Sequence, residues 1–388
     1  MDMLAALGER LWERREELAA AAGQDVGTPH WLGRIEVEMA AAHLRTMAAE
    51  AHLVAGGAPY GVVAAIFPYD AAPVMLARVG GAALLGGNRF RFSCSSQTPT
   101  VARVLQEVTA PFPDIEAMVG VDNRQFGAQA VRDPEVRVLF ISGGGEVGAV
   151  YAREIASLDK LFFAGPSGLP PALLFRDAPV SQAARFLVRR AFLNAGQYCT
   201  CLKRAYIHRD IYPQVKEAVL AEMAAIKVGE PEDPETWIGP LKVERTRALL
   251  ERALAAMPQP VFLMPPRREG LWQGPFLLET PEPPDLELFG PLLALVPVAD
   301  DEEAVARVLQ SRYPMLVVFF GTPPAGARER LDRTFGMVFD NPEFLFTPLR
   351  IPFGGKGESG WILERADGGI RKRDGAVWYA AELVRRPG

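Results

Sequence analysis

Apolar residues in the first 55 positions recur at helical spacing. Leu4, Leu7, Leu11 and Leu18 repeat at about 3.6 residues, which predicts helices with one buried face. The texture then changes. YGVVAAIF at 60–67 is a short β-branched run stopped by Pro68 and predicts a buried strand. VMLARVGGAALLGG predicts a helix, and NRFRFS, with strict alternation, a second strand. Thr98-Pro99 opens a further helix, and IEAMVGV and VRVLFIS predict two more strands before a triple glycine. Strands alternating with helices at this spacing predict an α/β fold built on an open parallel sheet. A second α/β unit follows about residue 165: ALLF, the helix SQAARFLVRRAFLNAG, RAYIHR and a helix from Tyr212 to Ile226. The proline-rich stretch 258–284 reads as surface loop with one strand, GPFLLET. LLALVPV, MLVVFFG and GMVFDN supply the last strands.

The chain has 388 residues, enough for two domains with separate cores. A formal net charge of −5 leaves no basic footprint and argues against nucleic acid as a partner. No apolar run is long enough for a transmembrane helix, which argues against membrane insertion. Three cysteines (Cys94, Cys199 and Cys201) are too few and of the wrong parity for a disulfide framework, so a reducing, cytoplasmic setting is expected. No metal-ligand spacing is present.

The most informative segment is FLNAGQYCTCLKRAYIHR at 192–209. A helix runs into Gly196, a cysteine follows, and Lys203 and Arg204 lead the next strand. A thiol on a turn beside positive charge is a setting in which thiolate forms. The alternative is a buried cysteine that only packs a core.

This segment resembles the signature of the aldehyde dehydrogenase superfamily. Phe192, Asn194, Gly196, Gln197, Cys199 and Arg204 match it in spacing, with Cys199 at the catalytic nucleophile and Cys201 as packing. PYGVVAAIFPYDAAP at 59–73, GGNRFRFSCSSQTP at 86–99, VGEPEDPETWIGPL at 228–241, LELFGPLLALVPV at 286–298 and PFGGKGESG at 352–360 resemble further motifs of the same family, in family order. The resemblance implies a shortened, divergent member: a Rossmann-type cofactor domain over 1–165, an α/β catalytic domain over 166–368 and a C-terminal oligomerisation region over 369–388. It also implies NAD or NADP as cofactor, unless binding has been lost, and a small aldehyde or acyl substrate. Cys199 would attack the carbonyl, and hydride would pass to nicotinamide.

Several family positions are altered. The asparagine that helps the Cys199 backbone N–H hold the oxyanion is Asp70, and losing such a donor removes about 3 kcal/mol of transition-state stabilisation. The family's glutamate base falls at Gly165, followed by Pro166, as in coenzyme-A-acylating relatives. Glu364 matches a second family glutamate and is, by the same resemblance, a candidate substitute base, or else an ordinary solvated glutamate. The lysine and glutamate that hold the adenine ribose match Ser93 and Ser96. Arg89 and Arg91 share the Ser93 face, as candidates for a cofactor phosphate or as ordinary exposed arginines. Gly144 and Gly145 in SGGGEVG would receive a pyrophosphate at a helix start. Glu287 and Phe289 match the residues that position the nicotinamide ribose and ring. The hairpin that bridges subunits has no room between His52 and Tyr60, while AVWYAAELV resembles a strand that pairs with a neighbour, so a homodimer is expected.

Three functions remain open from the sequence. The first is an NAD(P)-linked aldehyde oxidoreductase. The second is a cofactor-free thiol enzyme that passes an acyl group from Cys199 to another nucleophile. The third is a non-catalytic scaffold or partner subunit on the same fold.

Overall fold

The computed structural model describes residues 3–142, 151, 154, 155, 158, 160–165, 167–256, 261–351, 353–366, 369–376, 385 and 386. The N-terminal periodicity resolves into three helices, Met3–Glu13, Arg15–Val26 and His30–Thr46, followed by a 3₁₀ segment, Met47–Val54. Leu4, Leu7, Leu11 and Leu18 are all buried, as their spacing requires. Gly27, at φ 82°, ends the second helix by donating its N–H to the carbonyls of Ala22 and Gly23.

Two sheets organise the rest. In the first, the strands lie in the order Gly354–Gly355, Gly369–Ala376, Trp361–Ala366, Leu161–Ala164, Val136–Ile141, Val62–Ile66, Arg89–Ser93 and Ile115–Ala117. The last five are mutually parallel, and the first three add on antiparallel. Every residue of Val62–Ile66 is buried, because helices cover both faces of a central parallel strand. In the second sheet the order is Met337–Asp340, Leu316–Phe320, Pro171–Leu174, Arg204–His208, Leu292–Val298, Phe276–Glu279 and Val261–Met264. It is parallel except for the last strand.

Three local expectations change. Among its described residues the stretch 258–284 carries not one strand but four short ones, adding Val261–Met264 and a hairpin of Arg268–Glu269 with Trp272–Gln273. The helix after Pro68 is continuous from Ala72 to Leu85 but widens to a π turn over Leu76–Gly80. Finally, Trp361–Ala366, expected with the catalytic segment ending at 368, pairs instead with Leu161–Ala164 of the first sheet. Phe162 and Trp361 fix that join, their ring centroids 5.5 Å apart. The chain therefore leaves the first sheet after residue 164, builds the second, and returns. No described helix is long and apolar enough to cross a membrane.

Candidate active site

The cysteine turn follows the helix Val180–Phe192, whose apolar face is buried. Asn194 (φ 49°), Ala195 (φ 53°) and Gly196 (φ 70°) then run through left-handed backbone in succession. Two of these are not glycine, so the turn stores strain on the order of 1 kcal/mol per residue or more. Backbone-to-backbone packing holds it. A Cβ on Gly168 would meet the Cys199 carbonyl oxygen at 2.0 Å, and one on Gly196 would meet that of Gly290 at 2.0 Å. The buried Lys203 ammonium donates to the carbonyls of Gly196 (2.7 Å) and Gly290 (2.8 Å), tying the cysteine turn to the loop that carries Glu287 and Phe289.

Cys199 opens onto a cavity of about 480 Å³. Asp70, Glu287, Phe289, Ser96, Arg78 and Glu36 are among the residues that line it. Burial pushes the Cys199 thiol well above its usual range, and the Asp70 and Glu287 carboxyls push it further; Arg78 opposes them. Asp70 is 9% exposed. Its burial raises the carboxyl to about 7, with Glu287 adding to the rise, while its own backbone N–H and that of Cys199 pull the other way as hydrogen-bond donors. Glu287 accepts from Ser167 Oγ (2.7 Å) and from the Gly168 N–H (2.6 Å). Phe289 meets Tyr69 edge to face, with centroids 6.0 Å apart.

Arg78 comes from the π turn. Its guanidinium lies over the Phe353 ring at 3.7 Å and donates to the Pro348 carbonyl at 3.0 Å. Its Nε has no partner, and burial lowers its pKa to about 9. An arginine in this state is a strong attractor for an anion entering the cavity.

The cavity continues from Cys199 to Ile66, Ser95, Ser96, Gln97, Asn123, Arg124 and Ser142. These residues sit where the parallel strands Val62–Ile66, Arg89–Ser93 and Val136–Ile141 end, the usual position of a nucleotide crevice in an open α/β sheet. A strand-end crevice lined by hydroxyl and amide side chains and Arg124, running to Glu287 and Phe289, fits a dinucleotide. Gly144 and Gly145 lie outside the described residues.

Several expected site residues stand elsewhere. Ser93 is buried, donates to Asn123 Oδ1 at 2.7 Å and does not line the cavity. Arg91 is not free to meet a phosphate: it binds Glu116 (2.6 Å) and Asp133 (2.7 Å). Arg89 pairs with Glu135 at 3.1 Å. Glu364 is outside the cavity lining and is held by Arg371 and Arg373, which keep its carboxyl below the usual range, so it is misplaced and too acidic for a substitute base. Asn194 is buried in the turn and shapes it without lining the cavity. Arg204 binds Asp285 and Ser311 beneath the strand, away from the cysteine. Cys201 is fully buried and donates its thiol to the Leu193 carbonyl.

Gly165 explains why no base stands at its position. Its φ is 124°, and a Cβ would lie 2.8 Å from the Ser359 carbonyl oxygen. The backbone of Ser359 and Gly360, just ahead of the returning strand, has closed the space a side chain would need. Sequence reasoning also missed Arg78, Glu36, Tyr198 and Arg124, all of which line the cavity. An arginine inside the otherwise apolar stretch VMLARVGGAALL was the available signal for Arg78.

The aldehyde dehydrogenase family model matches residues 1–372. A probable succinate-semialdehyde dehydrogenase (NADP(+)) of Sinorhizobium fredii is 27% identical over 381 residues, covering 90% of this chain and 77% of the relative. An N-succinylglutamate 5-semialdehyde dehydrogenase of Chromobacterium violaceum is 28% identical over 390 residues, covering 91% and 78%. The solved succinic semialdehyde dehydrogenase of Streptococcus pyogenes, in complex with NADP+, superposes with a TM-score of 0.84 at 22% identity, covering 97% of this chain and 87% of that one. The motif order, the two-sheet fold and the match over nearly the whole chain agree: this protein belongs to the aldehyde dehydrogenase family.

Proposed function

We propose that the chain is an NAD(P)-linked oxidoreductase that takes small aldehydes carrying an anionic group, with Cys199 as nucleophile. The observation that carries this reading is the joint presence of Cys199 and the part-satisfied Arg78 guanidinium in one cavity. Arg78 binds the substrate's remote anion, which directs the carbonyl toward the sulfur. The relatives named as semialdehyde dehydrogenases support the same substrate class. Glu287 and Phe289 would hold the nicotinamide ribose and ring, and Ser96 and Arg124 would meet the adenosine side. The bound dinucleotide supplies the hydride acceptor. The protein's own residues bind the aldehyde, orient it, and move protons around Cys199. In this reading, residues 1–165 with the returning strands form the cofactor-binding unit, and the second sheet carries the catalytic cysteine.

Turnover of an anionic aldehyde series with NAD+ and NADP+, followed by absorbance of the reduced nicotinamide, tests it. Activity abolished by Cys199→Ala is expected. No turnover and no dinucleotide binding by calorimetry would overturn it.

A second reading is favoured by the closed position at Gly165. Without a carboxylate there, the acyl group on Cys199 would pass to a thiol or amine in place of water. Mass spectrometry of the intact chain, incubated with an activated acyl ester and no dinucleotide, detects such an acyl-enzyme.

A further inference from the structure

The cavity around Cys199 is lined by three carboxyl groups, Glu36, Asp70 and Glu287, and by no histidine or lysine among the described residues. Glu287 is already held by Ser167 and Gly168. Asp70 and Glu36 remain. Asp70 comes from the loop after Val62–Ile66, and its carboxyl lines the same cavity as Cys199, close enough to raise the thiol's pKa. Glu36 comes from the helix His30–Thr46 and is 6% exposed. It accepts from the Tyr198 hydroxyl, next in sequence to the cysteine. A second cavity of about 20 Å³ is lined by both carboxyl residues, with Thr28 and Tyr69. That space suits about one water bridging polar groups. Cys199, Asp70, Glu36 and Tyr198 therefore stand together around these two cavities, with Glu36 bound to Tyr198.

We propose that Asp70, with Glu36 behind it as a positioning residue, handles the proton of Cys199 in place of the base that Gly165 cannot carry. The proposal deepens the aldehyde reading and rests on it. As sulfur attacks, an S–C bond forms and the carbonyl π pair moves to oxygen. The S–H proton passes to an Asp70 oxygen. The carboxylic acid so formed then donates to the new oxyanion, beside the Cys199 N–H, and delivers the proton to give a neutral hemithioacetal. No electrons change hands in this step, and Asp70 ends ionised as it began. An asparagine at this position would donate to the oxyanion without accepting the thiol proton; a carboxyl group does both.

The groups facing Asp70 fix the sign of the pH response. Glu36, Glu287, Tyr69, Tyr198, Cys199 and Cys201 oppose its ionisation or are neutral, while two cations line the cavity near Cys199: Arg78, and Arg190, which donates to the Thr200 carbonyl at 2.8 Å. Burial with these neighbours puts Asp70 near neutrality, where it takes and returns a proton readily.

The test needs no aldehyde and no nucleotide. Iodoacetamide alkylation of Cys199 in the full chain is followed by peptide mass spectrometry across about pH 5–9. The wild-type rate should rise through neutrality. Asp70→Asn should lose that rise and react at least about tenfold more slowly at neutral pH. If Asp70 only repels a thiolate, removing its charge makes Asp70→Asn faster, and the proposal is overturned. Glu36, raised to about 8, is still protonated while Asp70 titrates, so Glu36→Gln, which keeps an acceptor for Tyr198, should leave the rise near neutrality. A wild-type rate that stays flat through neutrality and rises only above about pH 8 would also overturn the proposal, even if Asp70→Asn did not fold. The aldehyde reading fails separately: the alkylation profile would stand while no aldehyde is turned over.

Discussion

Lys203 reaches across the active site to Gly290: its Nζ lies 2.8 Å from the Gly290 carbonyl oxygen and 2.7 Å from that of Gly196. Burial lowers this lysine to about 8, with the nearby Cys201 and Glu287 acting in the opposite direction. Lys203→Met leaves both oxygens without that donor. A loss of about 2–5 kcal/mol is expected, read as a lower denaturant midpoint.

Glu36 makes stability depend on pH. Its folded pKa is raised from 4.5 to about 8 by burial, against the Tyr198 hydrogen bond. Between those values the folded state holds a proton that the unfolded chain has released. The contribution is therefore full below about pH 4.5 and lost as pH rises through 8. Asp70, raised to about 7, acts in the same direction. Melting temperature should fall as pH rises across this window, and Glu36→Gln should flatten the fall, by an amount on the order of several kcal/mol at the alkaline end.

Arg78→Leu separates recognition from chemistry. For an anionic aldehyde, kcat/KM should drop about 10- to 100-fold, mostly through KM. An uncharged aldehyde of similar length should be unaffected or improved. Equal losses on both would mean that Arg78 only supports the fold through Phe353 and Pro348.

Gly165 should not accept a side chain. Gly165→Ala places a Cβ 2.8 Å from the Ser359 carbonyl and adds strain at φ 124°. A loss of about 2–4 kcal/mol is expected by thermal melting. Gly165→Glu should therefore fail to install a hydrolytic base.

Cofactor preference should be indifferent to Arg91. Because Arg91 is occupied by Glu116 and Asp133, Arg91→Ala should leave the NADP/NAD affinity ratio unchanged in calorimetry. Arg124→Ala, at the cavity wall, should weaken the dinucleotide by about tenfold.

The helical periodicity of the first 55 residues and the β-branched runs were legible because each element buries one defined face. The cysteine turn was legible because its residue types serve local backbone geometry. Arg91 misled because alternation gives the face of a strand but not the acidic neighbours, here Glu116 on the adjacent strand and Asp133 after the next helix. Glu364 misled for a related reason. Its partners Arg371 and Arg373 lie on the hairpin's second strand, Gly369–Ala376, and the Asp-Gly pair at 367–368 between alternating runs was the unused signal for that hairpin. Arg78 and Glu36 were hidden because a polar residue on a helix reads as solvent-facing until the neighbouring elements are placed around it.

The late pairing of Trp361–Ala366 with Leu161–Ala164 has a consequence for synthesis. When Leu161–Ala164 leaves the ribosome, one side of this wholly apolar strand has its partner in Val136–Ile141, but the other must wait for about 200 more residues. At 5–20 residues per second, that edge stands open for roughly 10–40 s. The nascent chain carries an unpaired hydrophobic border through about half of its translation, a natural docking point for chaperones and for its own siblings on a crowded polysome.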